Sequence, residues 1–247
     1  MTMTAPRAPS ERPGDPVEHA IEIRGLAKSY GGKRALDGLD LTLPYGQVVG
    51  LLGENGCGKT TLLKVLAGVL ADYEGEVSIA GRTPGPGSKA LVSFLPDVSF
   101  LPDSARASSC IELYGDFFDD FRTERARELI RSFGIDESMR LKEMSKGMRE
   151  KVQIALAMAR DARVYLLDEP ISGVDPAARD VILQGVLRNL SEDSLLLVST
   201  HLIHDLESIL DGVVIMREGR VVLAGEVDDL RAQHGMSIDQ LFREVHR

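Results

Sequence analysis

The stretch VVGLLGENGCGKTT, residues 48–61, decides the fold class of this chain. Its first five residues are continuously apolar, as expected of a strand that is covered on both faces. A glycine-rich turn follows, and the apolar residues then recur at i, i+3, i+4 and i+7, which predicts one face of a helix made by Leu62, Val65, Leu66 and Val69. A strand, a glycine loop and a helix in this order predict an α/β unit.

Residues 53–61 match the pattern G-x-x-x-x-G-K-[ST]. Glycines let such a loop curl so that backbone N–H groups point at phosphate oxygens, and the following helix dipole adds positive potential. Lys59 supplies a charge for the β- and γ-phosphates, and the Thr60 hydroxyl is placed to ligate Mg²⁺. A chance glycine-rich turn is the alternative, but spacing and context both favour a phosphate loop. The predicted nucleotide-binding residues are Gly53, Glu54, Asn55, Gly56, Cys57, Gly58, Lys59, Thr60 and Thr61.

A second apolar strand, residues 164–167, ends in Asp168, Glu169 and Pro170. A strand that ends in a carboxylate is the Walker B arrangement, in which Asp168 holds Mg²⁺ directly or through water. Glu169 is placed to polarise a water molecule for attack on the γ-phosphate. Taken alone, the two carboxylates fit a surface turn before Pro170 equally well. Beside the phosphate loop, they favour the functional interpretation.

Outward from these motifs, predicted strands and helices alternate. Strands are expected from period-two alternation or apolar runs at residues 21–23, 39–43, 76–79, 164–167, 195–198, 213–216 and 221–224. Helical periodicity dominates residues 100–160 and 177–190. The predicted fold is an α/β P-loop NTPase core with a small antiparallel β subdomain and a helical insertion at about residues 98–160, within a domain at residues 18–247. Residues 1–17, which are rich in proline, predict a disordered tail.

Composition limits the function further. The chain carries 29 Lys and Arg against 38 Asp and Glu, a net charge of −9, which argues against a protein that wraps nucleic acid. Its two cysteines, Cys57 and Cys110, are too few for a disulfide framework and fit a reducing cytosol. No apolar run approaches the roughly 18–20 residues that cross a bilayer, and residues 1–17 do not resemble a signal peptide. We therefore expect a soluble, acidic, intracellular protein.

Three further segments distinguish among the P-loop NTPases. MSKGMR, residues 144–149, begins a predicted helix, SGVDP follows Glu169 at residues 172–176, and STH ends a strand at residues 199–201. Together with the phosphate loop and the Walker B strand, these segments resemble the signature motif, D-loop and switch histidine of the ATP-binding-cassette (ABC) ATPase family. The resemblance runs from about residue 21 to the C-terminus.

The resemblance implies roles for individual residues. Tyr30 matches the aromatic residue that stacks on adenine, although an ordinary strand-end tyrosine is the alternative. Ser145 and Gly147 match positions that contact the γ-phosphate of the ATP held by a second copy, where a hydroxyl and a helix N-terminus suit an anion. Asp175 matches the aspartate that shapes the interface between copies. His201 matches the residue that contacts the γ-phosphate and water, and a structural histidine is its alternative.

The chain departs from the family pattern at three positions of these motifs. Asp97 stands where most of the family has Gln, and an ionised Asp accepts hydrogen bonds but donates none. We expect Asp97 to ligate Mg²⁺ or hold the attacking water, with Asp103 as a second candidate because Ser-Phe-Leu-Pro occurs twice nearby. Lys146 replaces Gly and Met148 replaces Gln in the signature motif. Lys146 either adds a cation near the partner's phosphate or points into solvent. These departures resemble a bacterial export-type subgroup.

Aromatic residues are concentrated in one part of the chain, since six of the seven Phe residues lie between Phe94 and Phe133. In the family, the helical subdomain docks onto coupling helices of a transmembrane partner, so these side chains either anchor that contact or form the core of the subdomain. Helical spacing favours the core for Tyr114, Phe117, Phe118 and Phe121.

The predicted function is ATP hydrolysis that powers a transporter. Two copies, identical or different, would close on two ATP·Mg²⁺ and drive separate transmembrane permease subunits, which implies a cytoplasmic protein at the inner face of the cell membrane. The alternative is a soluble ABC-type ATPase that acts as a regulatory or nucleic-acid- or ribosome-associated switch without a permease. The predicted catalytic residues are Glu169, His201 and Asp97, and the predicted Mg²⁺ ligands are Thr60, Asp97 and Asp168.

Overall fold

Two sheets and eight helices organise residues 19–246, which the computed structural model describes; the predicted tail at residues 1–17 lies outside them. The strands are β1 His19–Tyr30, β2 Lys33–Pro44, β3 Val48–Gly53, β4 Glu74–Ile79, β5 Val92–Leu95, β6 Val164–Asp168, β7 Leu195–Thr200, β8 Gly212–Arg217 and β9 Arg220–Glu226. The helices are α1 Lys59–Leu66, α2 Ala107–Phe117, α3 Thr123–Ser132, α4 Lys146–Met158, α5 Pro176–Asn189, α6 Ile203–Leu206, α7 Val227–His234 and α8 Ile238–Val245.

The larger sheet has the strand order β5-β6-β7-β3-β8-β9, in which only the edge strand β9 is antiparallel to its neighbour. Its central strands β3, β6 and β7 are largely apolar up to their carboxyl ends because both faces are covered. In β3, Val48 and Leu52 pack with α4 and α5 on one face, whereas Val49 and Leu51 pack with α1 and the smaller sheet on the other. The predicted α/β fold with a small antiparallel subdomain is therefore confirmed.

The smaller sheet is antiparallel, with the order β2-β1-β4. It lies over the face of the larger sheet that α1 also covers, and its leucines and isoleucines share that core. The start of β2 approaches the phosphate loop closely, since a Cβ on Gly58 would lie 2.5 Å from the Ala35 carbonyl oxygen. The two sheets therefore meet at the loop.

The register of the parallel strands positions the predicted site. Leu52 of β3 pairs with Thr200 of β7. Asp168, at the end of β6, pairs with Ser199, which also belongs to β7. The carboxyl ends of β3, β6 and β7 therefore lie at one level of one edge, which is where ligands bind in open α/β sheets.

Helix α1 is shorter than its apolar stripe predicts. It ends at Leu66, and Val69 is 56% exposed, so the assignment of Val69 to the buried stripe was wrong. Gly68 adopts the left-handed conformation (φ +65°), and the Val69 N–H then donates to the Lys64 carbonyl. A left-handed glycine that caps the last carbonyls stops the helix.

The predicted aromatic stripe at residues 114–121 is also interrupted. Helix α2 ends at Phe117, so Phe118 and Phe121 lie beyond it, and Phe117 is 79% exposed. The chain turns because Asp120 is held by Arg160, and Phe121 forms a β-bridge with the same arginine. This tertiary contact overrides the local periodicity.

Arg160 ties the helices between β5 and β6 to the larger sheet. Its side chain is 5% exposed, its Nε lies 2.9 Å from Asp120 Oδ1, and its Nη1 donates to the Val92 carbonyl. The guanidinium also stacks over the Phe118 ring at 4.0 Å. The bond to Val92 joins the end of α4 to β5, and the other two contacts join it to the connection between α2 and α3. The boundaries of this insertion at about residues 98 and 160 stay a prediction.

We expect Arg160→Ala to lower the free energy of unfolding by about 3 kcal/mol, because removing one partner of a largely buried ion pair leaves the other uncompensated. Urea unfolding followed by circular dichroism measures this change. The matched control is Arg243→Ala, which breaks the exposed Asp239–Arg243 pair and should cost less than about 1 kcal/mol. Equal losses in the two variants would contradict the anchoring role.

Helices long and apolar enough to cross a bilayer are absent from residues 19–246. Cys57 and Cys110 are both buried and free, in agreement with the expectation that they form no disulfide framework.

Candidate active site

The phosphate loop is shaped by glycines that have no room for a side chain. Gly58, at the N-cap of α1, has φ +112°, and a Cβ there would lie 2.5 Å from the Ala35 carbonyl oxygen. A Cβ on Gly53 would lie 2.4 Å from Cys57 Sγ. Close approach of backbone and side chains around the loop therefore requires glycine at both positions.

Lys59 is folded back into the loop. Its side chain is buried, and its Nζ donates to the carbonyl oxygens of Gly53 at 2.7 Å and Glu54 at 3.2 Å. Charge-assisted hydrogen bonds of this kind are stronger than neutral ones, so the ammonium helps to hold the loop curled. Phosphate oxygens would bind the Lys59 ammonium more strongly than these neutral carbonyl oxygens do, because phosphate oxygens carry negative charge.

Cys57 lies in the wall of the loop and is anchored from another strand. The N–H of Gly219, in the turn between β8 and β9, donates to the Cys57 carbonyl at 2.9 Å, and the Asp37 N–H donates to the Gly219 carbonyl at 3.0 Å. Burial raises the pKa of the Cys57 thiol above its ordinary value, against the opposing effect of the Lys59 charge. The thiol is thus protonated at neutral pH and acts as a small buried side chain.

Asp168 is a buried carboxylate, and only one of its two oxygens has a hydrogen-bond partner among residues 19–246. It is 1% exposed, and its Oδ1 accepts a hydrogen bond from Ser199 Oγ at 2.5 Å. Its Oδ2 is buried with no partner among residues 19–246. A buried carboxylate oxygen without a partner is costly unless a ligand completes it.

The donor set at this edge fits Mg²⁺. The Thr60 hydroxyl lies at the start of α1, and both it and Asp168 offer oxygen, which is the ligand type that Mg²⁺ prefers. Within the described residues there is no group of three or more His, Cys, Asp or Glu side chains suited to a metal ion. This agrees with Mg²⁺ sites built from one or two protein groups, substrate phosphates and water.

Glu169 and His201 are brought into direct contact across two strands. The Nδ1 atom of His201 lies 2.8 Å from Glu169 Oε2, and because a carboxylate only accepts, this hydrogen bond places a proton on Nδ1. The Glu169 side chain is 18% exposed, whereas that of His201 is 49% exposed. The carboxylate is therefore oriented by the imidazole and still reachable by water.

The Glu169 backbone is held in a conformation that L-residues rarely adopt, with φ +50°. Such a residue costs roughly 1–3 kcal/mol and persists only where its surroundings enforce it. Here the Glu169 N–H donates to the carbonyl oxygen and to the Oγ of Ser199, at 3.1 and 3.0 Å. Strained residues of this kind concentrate at functional sites.

Tyr30 ends β1 and is 48% exposed, immediately before the Gly31–Gly32 turn that leads into β2. The Lys28 ammonium lies 5.2 Å from the centre of its ring and pairs with Asp72 at 2.9 Å. Tyr30 thus presents a partly exposed ring at the end of β1, and its stacking on adenine stays a prediction.

The signature and D-loop segments lie against each other in the chain. Ser145 caps α4, with its Oγ accepting from the Met148 N–H at 3.2 Å, and Asp175 caps α5 in the same way. A Cβ on Gly147 would lie 3.3 Å from the Gly173 carbonyl oxygen. The structure therefore places Gly147, two residues after the Ser145 cap, against the D-loop segment, residues 172–176.

The two acidic candidates beyond β5 have different surroundings. Asp97 is exposed, two residues after the end of β5. Asp103 forms an ion pair with Arg149 of α4 at 3.1 Å, and its carbonyl accepts from the Lys142 N–H. Asp103 therefore joins elements of the helical segment, and Asp97 remains the candidate for the Gln position.

The phenylalanines of this part of the chain differ in their burial. Phe121 and Phe133 are buried in the core with α3 and α4, whereas Phe100 and Phe117 are 47% and 79% exposed. A groove of about 200 Å³ lies beside Phe100, lined also by Phe94, Tyr114, Phe118 and Gln153. The core role is therefore observed for Phe121 and Phe133, whereas docking of the exposed phenylalanines onto a partner stays a prediction.

Two contributors to the site were missed by sequence reasoning. Ser199 links Asp168 to Glu169 through its hydroxyl, and Gly219 holds the loop carbonyl of Cys57. Ser199 carried a signal, because it is a polar residue at the end of an otherwise apolar strand. Gly219 carried none, since its contact depends on the pairing of β8 with β3.

Comparisons with known proteins agree with this geometry. A family model described as ABC transporter matches residues 36–172. The daunorubicin resistance ATP-binding protein DrrA3 of Streptomyces coeruleorubidus is 32% identical over 238 residues, covering 93% of this chain and 75% of that protein. The Nod factor export ATP-binding protein I of Rhizobium sp. (strain N33) is 28% identical over 233 residues, covering 90% of this chain and 76% of that protein.

Solved structures show the same fold. The ATP-binding subunit of an ABC transporter superposes with a TM-score of 0.83 at 28% identity, covering 92% of this chain and all of that chain. A dimeric ATP-binding cassette in a post-hydrolysis state, bound to ADP and Pi, superposes with a TM-score of 0.75 at 21% identity, covering 83% and 98%.

Proposed function

The chain belongs to the ABC transporter family as one of its ATP-binding ATPases, and from that premise we propose that it drives a separate membrane permease by closing on ATP·Mg²⁺ with a second cassette. The observation that carries this proposal is the carboxyl edge of the sheet. Three features lie at one level of that edge: the Asp168 oxygen that has no partner among residues 19–246, the Glu169–His201 pair, and the loop around Lys59.

ATP binding is proposed to exchange the partners of Lys59. Its Nζ now pairs with the Gly53 and Glu54 carbonyls, and β- and γ-phosphate oxygens would take over part of this bonding. Thr60 and Asp168 Oδ2 would hold Mg²⁺, which supplies charge neutralisation to the phosphates when bound. Exposed Asp97 is the proposed third contributor, and Tyr30 is proposed to stack on the adenine ring.

Hydrolysis is proposed to depend on Glu169 and His201. Glu169 would accept a proton from the attacking water, since its carboxylate is held by the His201 Nδ1–H yet remains partly exposed. A proton on the other ring nitrogen as well, as in the imidazolium, would let His201 donate to the developing charge at the γ-phosphate while Nδ1–H stays on Glu169. Positioning and charge stabilisation supply most of the rate enhancement in phosphoryl transfer.

The second cassette is proposed to complete the site. The Ser145 hydroxyl uses a lone pair on the Met148 N–H, so its proton is free to donate to a phosphate oxygen of the ATP held by the partner. The N-terminus of α4 adds favourable potential for an anion. Asp175, at the exposed N-cap of α5, is proposed to contact the partner copy.

We propose that the groove beside Phe100 receives a cytoplasmic helix of the permease. Several large apolar side chains are exposed in or just before the helical segment: Val98 68%, Phe100 47%, Leu113 53% and Phe117 79%. Exposed apolar patches of this kind mark interaction surfaces. The names of two relatives, daunorubicin resistance and Nod factor export, support export as the direction of transport.

The test of this proposal is Phe117→Asp in a chain co-expressed with the membrane protein encoded next to it. Because a charge in an apolar contact is costly, we expect co-purification in detergent to fall at least about tenfold, while ATP affinity stays within about twofold. The matched control is Val222→Asp, which puts the same charge at an exposed apolar position on β9. If the wild-type chain hydrolyses ATP but assembles with no membrane protein, the soluble-switch alternative replaces the transport function.

A further inference from the structure

Glu150 of α4 reaches out of its own helix to the D-loop segment. Its Oε2 accepts a hydrogen bond from the Gly173 N–H at 3.1 Å, and its side chain is only 15% exposed. The Lys146 Nζ lies 3.6 Å from the other oxygen of the same carboxylate. Glu150 therefore connects the first turns of the signature helix to the loop that ends in Asp175.

Gly173 fits this contact only because it has no side chain. A Cβ at this position would lie 2.2 Å from Glu150 Oε1 and 2.7 Å from Lys146 Cε. Both atoms belong to the ends of flexible side chains, so an alanine there would push the carboxylate and the lysine aside. The Gly173 carbonyl in turn lies close to Gly147, so the two segments are in contact through backbone as well.

Helix stability does not explain the pair of Lys146 and Glu150. In i,i+4 pairs the favourable order has Glu on the N-terminal side, and here the order is reversed. Burial also raises the pKa of Glu150 above its ordinary value, so the helix carries a partly desolvated carboxylate. The Lys146 charge offsets part of this cost, and the hydrogen bond from the Gly173 N–H, outside the helix, offsets a further part.

The D-loop segment is fixed at its other end by different bonds. The Val174 carbonyl accepts from Arg179 Nε at 3.1 Å, and Asp175 accepts from the Ala178 N–H at 3.2 Å. Glu150 is the group from α4 that holds the segment, at Gly173. Without it, the two segments would keep the backbone approach between Gly147 and Gly173 but lose the side-chain hydrogen bond that joins them.

We propose that Glu150 is a positioning residue that locks the signature segment and the D-loop segment of one chain into a single unit, so that Ser145 and Asp175 meet the partner copy together. The proposal rests on the proposed closure of two copies around ATP. Lys146 pairs with the same carboxylate and lies beside Gly173. Losing the lock leaves each segment to be ordered during closure, which weakens the dimer without touching the phosphate loop.

The test measures ATP·Mg²⁺-dependent dimerisation by analytical ultracentrifugation in a Glu169→Gln background, in which bound ATP is not turned over. Removing a hydrogen bond to a charged group weakens association by about tenfold or more, so we expect Glu150→Ala to raise the dimer dissociation constant by at least that factor. Binding of a fluorescent ATP analogue to the dilute monomer should stay within about twofold, since the phosphate loop is unchanged.

Two more variants separate positioning from folding. Glu150→Gln keeps an oxygen acceptor for the Gly173 N–H and should restore most of the dimer affinity. Gly173→Ala displaces the carboxylate and should weaken the dimer as Glu150→Ala does, and the double variant should be no weaker than either single one because both break the same contact. Asp239→Ala, which breaks the exposed pair with Arg243 on α8, is the matched control and should dimerise as the parent does.

The outcomes are distinguishable. If Glu150→Ala dimerises like its parent, or if the effects of Glu150→Ala and Gly173→Ala simply add, the lock is wrong while closure of two copies stands. If the Glu169→Gln parent does not dimerise with ATP·Mg²⁺ at all, the proposed closure and the lock fail together.

Discussion

Lys59→Ala is expected to lower ATP turnover by about 10³-fold, because it removes the cation that the phosphate loop encloses. ATP affinity should fall by about tenfold to a hundredfold, as for the loss of a hydrogen bond to a charged group. The same change leaves the Gly53 and Glu54 carbonyls without their present partner, so the loop also loses one of the contacts that hold it curled. Steady-state hydrolysis and isothermal titration with ATP measure the two effects.

The matched control for this variant is Lys64→Ala, which removes a lysine from the last turn of the same helix. It should bind and hydrolyse ATP as the wild type does. Thermal unfolding without nucleotide shows whether Lys59→Ala remains folded. A folded Lys59→Ala chain with wild-type turnover would remove Lys59 from the phosphate site.

Glu169→Gln is expected to lower turnover by about 10³-fold while ATP binding persists, since a carboxamide cannot take the proton from water. Gln keeps an oxygen that accepts from the His201 Nδ1–H, and it occupies the same left-handed backbone, so the geometry of the edge is preserved. Because ATP is not consumed, two copies should remain closed around it. Size-exclusion chromatography with light scattering, with ATP·Mg²⁺ and with ADP, distinguishes the closed pair from the monomer.

The control is Glu192→Gln, an equivalent change at an exposed carboxylate in the loop before β7, which should leave turnover and oligomeric state unchanged. Hydrolysis at the wild-type rate by Glu169→Gln would show that another group activates the water. Asp97 would then be the next candidate, because it is exposed just beyond the end of β5.

Local sequence was enough to predict the fold class and the two motifs around Lys59 and Asp168. Each depends on short-range rules, namely an apolar strand, a turn that only glycine tolerates and a helix that begins at once. The same rules failed at Val69, because the periodicity continues past a left-handed glycine that ends the helix. They also failed at Phe118, where the Arg160–Asp120 contact redirects the chain.

Contacts between distant segments could not be predicted in the same way. The strand order β6-β7-β3 brings Ser199 to Asp168 and His201 to Glu169, yet no local pattern encodes which strand lies between which. The contact of Glu150 with Gly173 depends on how α4 packs beside the end of β6. Such pairings follow from the tertiary arrangement, which the local patterns of one sequence do not determine.

The left-handed backbone at Glu169 has a consequence for how this chain can change over generations. Glycine or asparagine would relax that backbone, so mutations that raise thermostability are available at the residue proposed to activate water. Selection for thermostability alone would therefore favour the loss of Glu169, and only selection for ATP turnover opposes that loss. The position is one where stability and activity are in direct competition.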